Sequence, residues 1–402
     1  MNSYQTSKWE WVALEDAVEI CDYLRKPVNS KERAQRVANK REDELYPYYG
    51  ATGQVGYIDS YLSDGEYVLL GEDGAPFLDP FAKKAYLIKG KGWVNNHAHV
   101  LKSKLNNKFL CYYLNQVDYN GLVTGTTRYK LTQAAMKRIL VPTPDLVEQE
   151  RIVSKIEELF SKLDASVAEL KTAKEKLKVY RQAVLKEAFD KASSSNSKEM
   201  TIDSLLTKTR KGMSTGPFGT MLKKFEHQRA GVPVLGIENI GEGKFVPGNK
   251  IFVTPEKATE LQAFRVHTGD IIISRSGTVG ELCIVPPYME NSLLSTNLMR
   301  ISLDFEIVLP TYFVYLFRSK GVVVDQVKEL CKGSTRMFLN QTILKQIRFP
   351  IPSIPAQQKL VNMVESRLSI CDNIEQTIDT SLQQAEAMRQ SILKQAFEGR
   401  LL

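Results

Sequence analysis

The sequence predicts an α+β chain: two mixed domains of short strands and helices, joined by two long helices that pair as an antiparallel coiled coil. Three observations carry this reading. The chain contains an internal repeat, each copy holds a long heptad-patterned stretch, and each copy is preceded by a divergent strand-rich segment.

The repeat is found by laying Gly125–Phe189 over Gly333–Phe397 at a constant offset of 208 residues. No gap is needed across 65 positions, and about 21 are identical. GTTRYKLTQ (125–133) lies over GSTRMFLNQ (333–341), and RQAVLKEAF (181–189) over RQSILKQAF (389–397). Ile139, Pro142, Pro144 and Gln149 meet Ile347, Pro350, Pro352 and Gln357. Repeats of this kind define the architecture before any local pattern does. The chain is a tandem duplication.

Upstream, residues 1–124 and 200–332 diverge, but both are rich in aromatic, β-branched and glycine residues. Runs such as GEYVLLGEDG (65–74) and GDIIISRSG (269–277) read as strands ended by tight turns. The serine-rich KASSSNSK (191–198) reads as a linker. The expected boundaries are a first domain over 1–144, a helix over 145–190, a linker over 191–199, a second domain over 200–352 and a final helix over 353–402.

Each helix follows a P-x-P. Asp145 and Glu148 have the spacing of an N-cap and a capping-box partner, and no proline or glycine follows before Phe189. Ile156, Leu163, Leu170, Leu177 and Val184 recur every seven residues, as do Val364, Cys371, Ile378, Ala385 and Ile392. A heptad kept this long signals a left-handed coiled-coil seam. Ile152, Leu159, Ala173 and Tyr180 are expected to form the companion row, with Leu360, Ile374 and Met388 in the copy. The short linker requires the second helix to run back along the first. About 44 residues at ~1.5 Å each make roughly 65 Å, close to two turns of B-DNA at ~34 Å. The helices read as a ruler.

Composition narrows the partner. Lysine and arginine number 54 against 46 acids, a net charge of +8 and pI near 9.0, which favours a polyanion. Five scattered cysteines without C-x-x-C fit a reducing cytoplasm and neither a disulfide framework nor a zinc site. The N-terminus is not a signal peptide, and the most apolar stretch, 307–317, is short and broken by Pro310, so no membrane partner is expected.

Several enzyme patterns fail on inspection. Val285-Pro286-Pro287-Tyr288 resembles the adenine methyltransferase motif but has valine where the amine-binding Asp or Asn belongs. Pro144-Asp145 and Glu169-Leu170-Lys171 imitate a nuclease, yet they lie on one helix with Leu170 on its seam. No phosphate-binding P-loop exists. His97 and His99 lack a third ligand, so no metal site and no catalytic residue is expected.

Binding chemistry remains. Lys208, Arg210, Lys211, Lys223 and Lys224 surround the glycine-rich STGPFGTM (214–221). Residues 102–138 carry Lys102, Lys104, Lys108, Arg128, Lys130, Lys137 and Arg138 against Asp118. Exposed backbone amides of the glycine-rich loop and the nearby cations suit phosphates. Gln54, Asn95, Asn96, Asn239, Arg275 and Asn297 are polar loop residues able to read bases, arginine suiting guanine and amides adenine.

With these features assembled, the whole chain resembles the specificity subunit of type I restriction–modification enzymes. YYGATGQVGYID (48–59), VLLGEDGAP (68–76), GWVNNHAHVLK (92–102), EQERIV (148–153), TGPFGT (215–220) and GDIIISRSGTVG (269–280) are similar to that family's recurrent segments. The resemblance implies two target-recognition domains, each reading one half of a bipartite, asymmetric site in double-stranded DNA. The helices would set the spacer and help dock two methyltransferase subunits, which motor–nuclease subunits can join. S-adenosylmethionine, ATP and magnesium would belong to those partners and none to this chain. The DNA-facing loops would be those of Gly216, Gly219 and Thr220, and of Arg275, Ser276 and Thr278, with the turns ending at Arg128 and Arg336. Two rivals stay open: a methyltransferase or nuclease acting alone, and a structural coiled-coil scaffold.

Overall fold

The computed structural model describes residues 9–193, 197–218, 221–276, 280–330 and 339–402. The chain forms two compact units, one running through Thr172 and taking in Ile378–Leu402, the other comprising Ala173–Thr377. Each unit therefore holds one strand-rich domain and a portion of both long helices.

In the first unit, β1 (Trp11–Ala13), β2 (Val18–Ile20), β3 (Tyr46–Tyr49), β4 (Gln54–Ile58), β5 (Ser63–Gly71), β6 (Ala85–Val94) and β7 (Ala98–Ser103) precede helix α1 (Asn107–Gln116). Strand β8 (Leu140–Pro142) follows, then the long helix α2 (Leu146–Ser193), which passes into the second unit after Thr172. The main sheet has the order β2-β7-β5-β6-β3-β4. Successive side chains on β5 point to opposite faces. Val68 and Leu70 enter the core with Phe109, Leu110 and Leu114 of α1, while Leu69 joins Ile88 and Val100 on the other face. Both faces are covered, which explains an unbroken apolar run where alternation would mark a half-wet strand.

The second unit repeats this plan with different residues. β9 (Lys198–Thr201), β10 (Met213–Thr215), β11 (Ile271–Ser274), β12 (Leu282–Ile284) and β13 (Leu298–Ile301) precede α3 (Pro310–Arg318), β14 (Arg348–Ile351) and α4 (Ile354–Phe397). The order β10-β13-β11-β12 matches β2-β7-β5-β6, and every pair in both sets is antiparallel. Ile271 and Ile273 face one core and Ile272 the other. A separate sheet of Ile251–Val253, Val232–Leu235 and Leu293–Leu294 is added. β1 pairs with β8, and β9 with β14, so each domain begins by hydrogen-bonding to its own copy of the repeat.

The repeated glutamine has the same task twice. Gln149 is buried at the start of α2; its amide donates to the Pro144 carbonyl (2.7 Å) and accepts from the Asn106 N–H (2.7 Å) at the head of α1. Gln357, equally buried, donates to Pro352 (2.9 Å) and accepts from the Leu309 N–H (2.9 Å) at the head of α3. Asp145 caps α2 by accepting from Glu148 N–H at 2.8 Å, and the Glu148 carboxylate takes the indole N–H of Trp9 at 3.0 Å.

Within each unit the long helices run antiparallel. In the first, Asp164 meets Arg389. In the second, Lys174 meets Glu375 (3.6 Å), Arg181 meets Asp372 (2.6 Å) and Glu187 meets Arg367 (2.8 Å). At the offset of 208, Asp164 and Arg181 correspond to Asp372 and Arg389. The two pairs are therefore mates, each crossing the seam.

The expected heptad row is buried at Ile156, Leu177, Val184, Val364, Cys371, Ile378, Ala385 and Ile392, and half-buried at Leu163 and Leu170. The companion row is met only in part: Ile152 is buried and Leu159 and Leu360 half-buried, whereas Ala173, Tyr180, Ile374 and Met388 are exposed. The second covered row lies four residues beyond the first, at Phe160, Val167, Lys174, Arg181 and Ala188, and at Leu368, Glu375, Leu382, Arg389 and Ala396. Charged residues occupy it because long side chains can lay their stems on the seam and reach an ion partner beyond it. Arg389, for instance, stacks 4.4 Å above Phe160.

The boundaries shift slightly from those expected. α2 continues to Ser193 and β9 begins at Lys198, both inside the stretch assigned to the linker, and 194–196 lie outside the described residues.

Candidate nucleic-acid interface

The loops at one edge of the first sheet converge. β5 ends at Gly71, and the next residue, Glu72, donates its N–H to His97 O (2.7 Å) and accepts from Leu131 N–H (2.7 Å). Gly74 N–H reaches Tyr129 O at 2.9 Å, and Asn95 N–H reaches Tyr49 O at 3.1 Å. These bonds gather the segments after β3, β5 and β6 and the 125–130 hairpin around an open cleft of about 670 Å³. Gly125 has φ +98°, and a Cβ there would lie 2.4 Å from the Arg128 carbonyl. Only glycine suits that turn.

Charged side chains are organised beneath and around this cleft. The Arg128 Nε donates to Asp73 (2.7 Å), and its Nη2 lies 3.4 Å from His97 Nδ1. Lys130 lies 3.4 Å from Glu72, which also pairs with Arg25. Deeper, His99 is buried between Asp22 (2.8 Å) and the Leu131 carbonyl (3.2 Å). Burial alone would raise the Asp22 carboxyl, but hydrogen bonds from His99, the Val100 amide and Gln133 outweigh it and hold it below the usual carboxylate value. His99, buried with both ring nitrogens engaged, is a structural residue.

The second unit builds the same platform. Arg275, following β11, donates its N–H to Asn297 O (2.9 Å) and accepts from Leu339 N–H (3.1 Å). Leu339 is the repeat mate of Leu131. Backbone bonding therefore equates Arg275 with Glu72, Ser276 with Asp73 and Asn297 with His97. The Arg275 guanidinium is mostly buried and donates to Thr296 O at 3.3 Å. Gly216 N–H bonds Leu298 O (3.0 Å), and a Cβ on Gly216 would fall 1.9 Å from the Ser295 carbonyl.

Of the residues singled out in the sequence, Gln54, Asn96, Arg128, Lys130, Lys211 and Asn297 are exposed, and Ser276 is half-buried. Asn95 is buried, and its Oδ1 accepts from His97 N–H (2.8 Å), so it shapes the loop beneath the cleft. Asn95 and the mostly buried Arg275 thus depart from the expected role of exposed base readers, and two further expectations need correction. Asn239 is fully buried, accepting from Gly236 N–H (2.9 Å) and donating to Val246 O (3.0 Å), so its amide is committed to a turn. Gly216 is buried with its N–H used, so it permits a close backbone approach instead of offering an amide to a phosphate. Gly219, Thr220, Thr278 and Arg336 lie outside the described residues.

The basic runs are also less uniform than they read. Arg210 binds Asp270 through two bonds (2.6 and 3.1 Å), Lys108 meets Glu157 (2.6 Å) and Lys137 meets Glu15 (3.4 Å). The acids come from distant segments, which no local count can see. Sequence reasoning also missed Asp73 and Glu72 as partners of the cations. The clue available was GEDGAP, an acidic turn placed directly after an apolar strand.

Comparison with known proteins now gives this architecture a family. The type I restriction modification DNA specificity domain matches residues 6–176 and again 214–384, two stretches separated by the same offset of 208. A Haemophilus influenzae chain named as a type I restriction enzyme specificity subunit is 28% identical over 386 residues, covering 94% of this chain and 93% of its own. The EcoBI specificity subunit of Escherichia coli is 24% identical over 326 residues, covering 75% and 67%. Among solved structures, a chain from a type I restriction–modification system studied for its complex assembly covers 98% of both chains with a TM-score of 0.64 at 16% identity. The HsdS subunit from Thermoanaerobacter tengcongensis gives 0.52 at 16%, covering 98% of this chain and 97% of its own. These structures share the fold. Since the family's domain matches both repeats and most of the chain, this protein belongs to the DNA specificity subunits of type I restriction–modification systems.

Proposed function

We propose that each loop platform reads one half of a bipartite, asymmetric DNA site and that the chain thereby directs methyltransferase and restriction subunits to it. The observation that carries this is the equivalence of the two platforms. Backbone hydrogen bonds match position for position, while the side chains differ: Glu72 against Arg275, Asp73 against Ser276, His97 against Asn297. A shared frame with exchanged side chains is what two readers of different sequences require, since base edges are distinguished by donor and acceptor pattern.

The long helices supply the spacer and the docking surface. Val179, Tyr180, Ile370 and Ile374 of the second unit are 45–71% exposed and offer apolar area for a partner. Two methyltransferase subunits would use the two copies of the repeat, with motor–nuclease subunits joining them. S-adenosylmethionine, ATP and magnesium belong to those subunits in this reading. No helix among the described residues is long and apolar enough to cross a membrane, and we place the complex in the cytoplasm with its DNA.

Mapping methylated adenines in DNA from cells carrying this chain with its methyltransferase tests the proposal. The expected result is one split, non-palindromic motif with a fixed gap. A single uninterrupted motif, or a palindrome, would overturn it.

A further inference from the structure

We infer that Arg128 is a guanine reader held in position by Asp73, so that the half-site read by the first domain contains a G·C pair specified by this arginine. The inference rests on the two-reader function and names one of its contacts. Arg128 stands at the cleft with its side chain 60% exposed, although Asp73 already holds its Nε at 2.7 Å. Asp73 is itself fixed, because the neighbouring Gly74 bonds Tyr129 O and Glu72 bonds His97 O. Gly74 also leaves room for the guanidinium: a Cβ there would come within 3.3 Å of Arg128 Nε.

A cation waiting for a phosphate gains nothing from a carboxylate at hydrogen-bond distance, which neutralises it and repels the anion. Arginine reading a base gains a great deal, because the brace orients a planar fork and removes rotamers before binding. With Nε engaged by Asp73 and Nη2 near His97, N–H donors remain on Nη1 and on Nη2. Two donors side by side fit the O6 and N7 acceptors of guanine in the major groove. Adenine presents an acceptor beside a donor, and cytosine presents a donor, so neither satisfies both. The second domain has Ser276 where Asp73 stands, so its half-site does not inherit this contact.

The test uses the chain assembled with its methyltransferase and duplexes carrying each of the four base pairs at every position of both half-sites. Wild type should prefer guanine at one position of the first half-site by roughly ten- to hundred-fold. R128A should abolish that preference alone, R128K should restore only part of it, and D73A should weaken discrimination there without lowering the salt slope. Unchanged preferences at the other positions of the first half-site in the same molecule certify that the first unit of each variant is folded. An R128A complex that weakens equally on all sequences, with the salt slope falling by about one, would make Arg128 a phosphate contact and overturn the inference. So would unchanged preferences. A wild-type complex with no sequence preference would instead overturn the function on which the inference rests.

Discussion

The loop after β5 carries Glu72 and Asp73, whereas its counterpart after β11 carries Arg275 and Ser276. The same backbone bonds hold both loops, from Leu131 in one unit and Leu339 in the other. Charge at the base of the platform is thus reversed while its frame is kept. The repeat supplies the frame and Arg128, while the divergent segments supply the side chains that surround it, so recognition can change without disturbing the residues that fold the domain. Five variants test how far that separation extends.

The largest effect should come from changing the helices alone. One heptad inserted after Leu170 and another after Ile378 keep the seam in register and lengthen each helix by ~10 Å at ~1.5 Å per residue. Both half-sites should then be unchanged in sequence and move apart by about three base pairs at ~3.4 Å each. Methylation mapping on DNA with graded spacings measures this; a folded, partner-binding variant that keeps the original gap contradicts the ruler.

Next in size is Gly216→Ala, where the added Cβ meets the Ser295 carbonyl. Backbone on that side cannot yield cheaply, and a cost of about 1–3 kcal/mol is expected. Discrimination at the second half-site should fall while the first is retained. Loss at both would mean that the platforms are energetically one.

Gln149→Ala and Gln357→Ala address the frame. Each removes the acceptor for a helix-head amide and should cost about 1–3 kcal/mol. All three tryptophans, Trp9, Trp11 and Trp93, precede the repeat, so their fluorescence in denaturant follows the first unit. Hydrogen exchange at α3 follows the second. Equal penalties would sharpen the equivalence of the two frames, and a large inequality would break it.

The smallest effect concerns acid. Asp22 has its folded value depressed, so its stabilisation is complete above the unfolded carboxyl range near ~3.9 and is lost as pH falls through the folded value. Asp22→Asn should cost on the order of 1 kcal/mol at neutral pH. Tryptophan-monitored unfolding should show that difference shrinking below about pH 4.

The repeat, the two helices and one row of the seam were legible because apolar periodicity is written locally. The second row was not, since Lys174, Arg181, Glu375 and Arg389 read as solvent-facing until the opposing helix supplies their partners. The site divides in the same way. Arg128 could be picked out from a repeated turn, but Asp73 and His97 reach it from segments 55 and 31 residues away. Asn239 looked like a base reader because burial, which commits its amide to a turn, has no local signature.

Phe397, at the end of α4, packs 5.1 Å from Phe109 and 5.2 Å from Tyr113 in the core of the first unit. Its repeat mate Phe189 packs 5.3 Å from Tyr312 in the second. The consequence is temporal. Chains emerge from the ribosome at ~5–20 residues per second. The second unit is continuous in sequence and has all its residues once Thr377 is made. The first unit, although synthesised earlier, must wait for the last residues of the chain to close its core. Until then its apolar pocket around Phe109 is open for roughly ten seconds or more, which makes the N-terminal reader the last to mature and the one most exposed to chaperones and proteases.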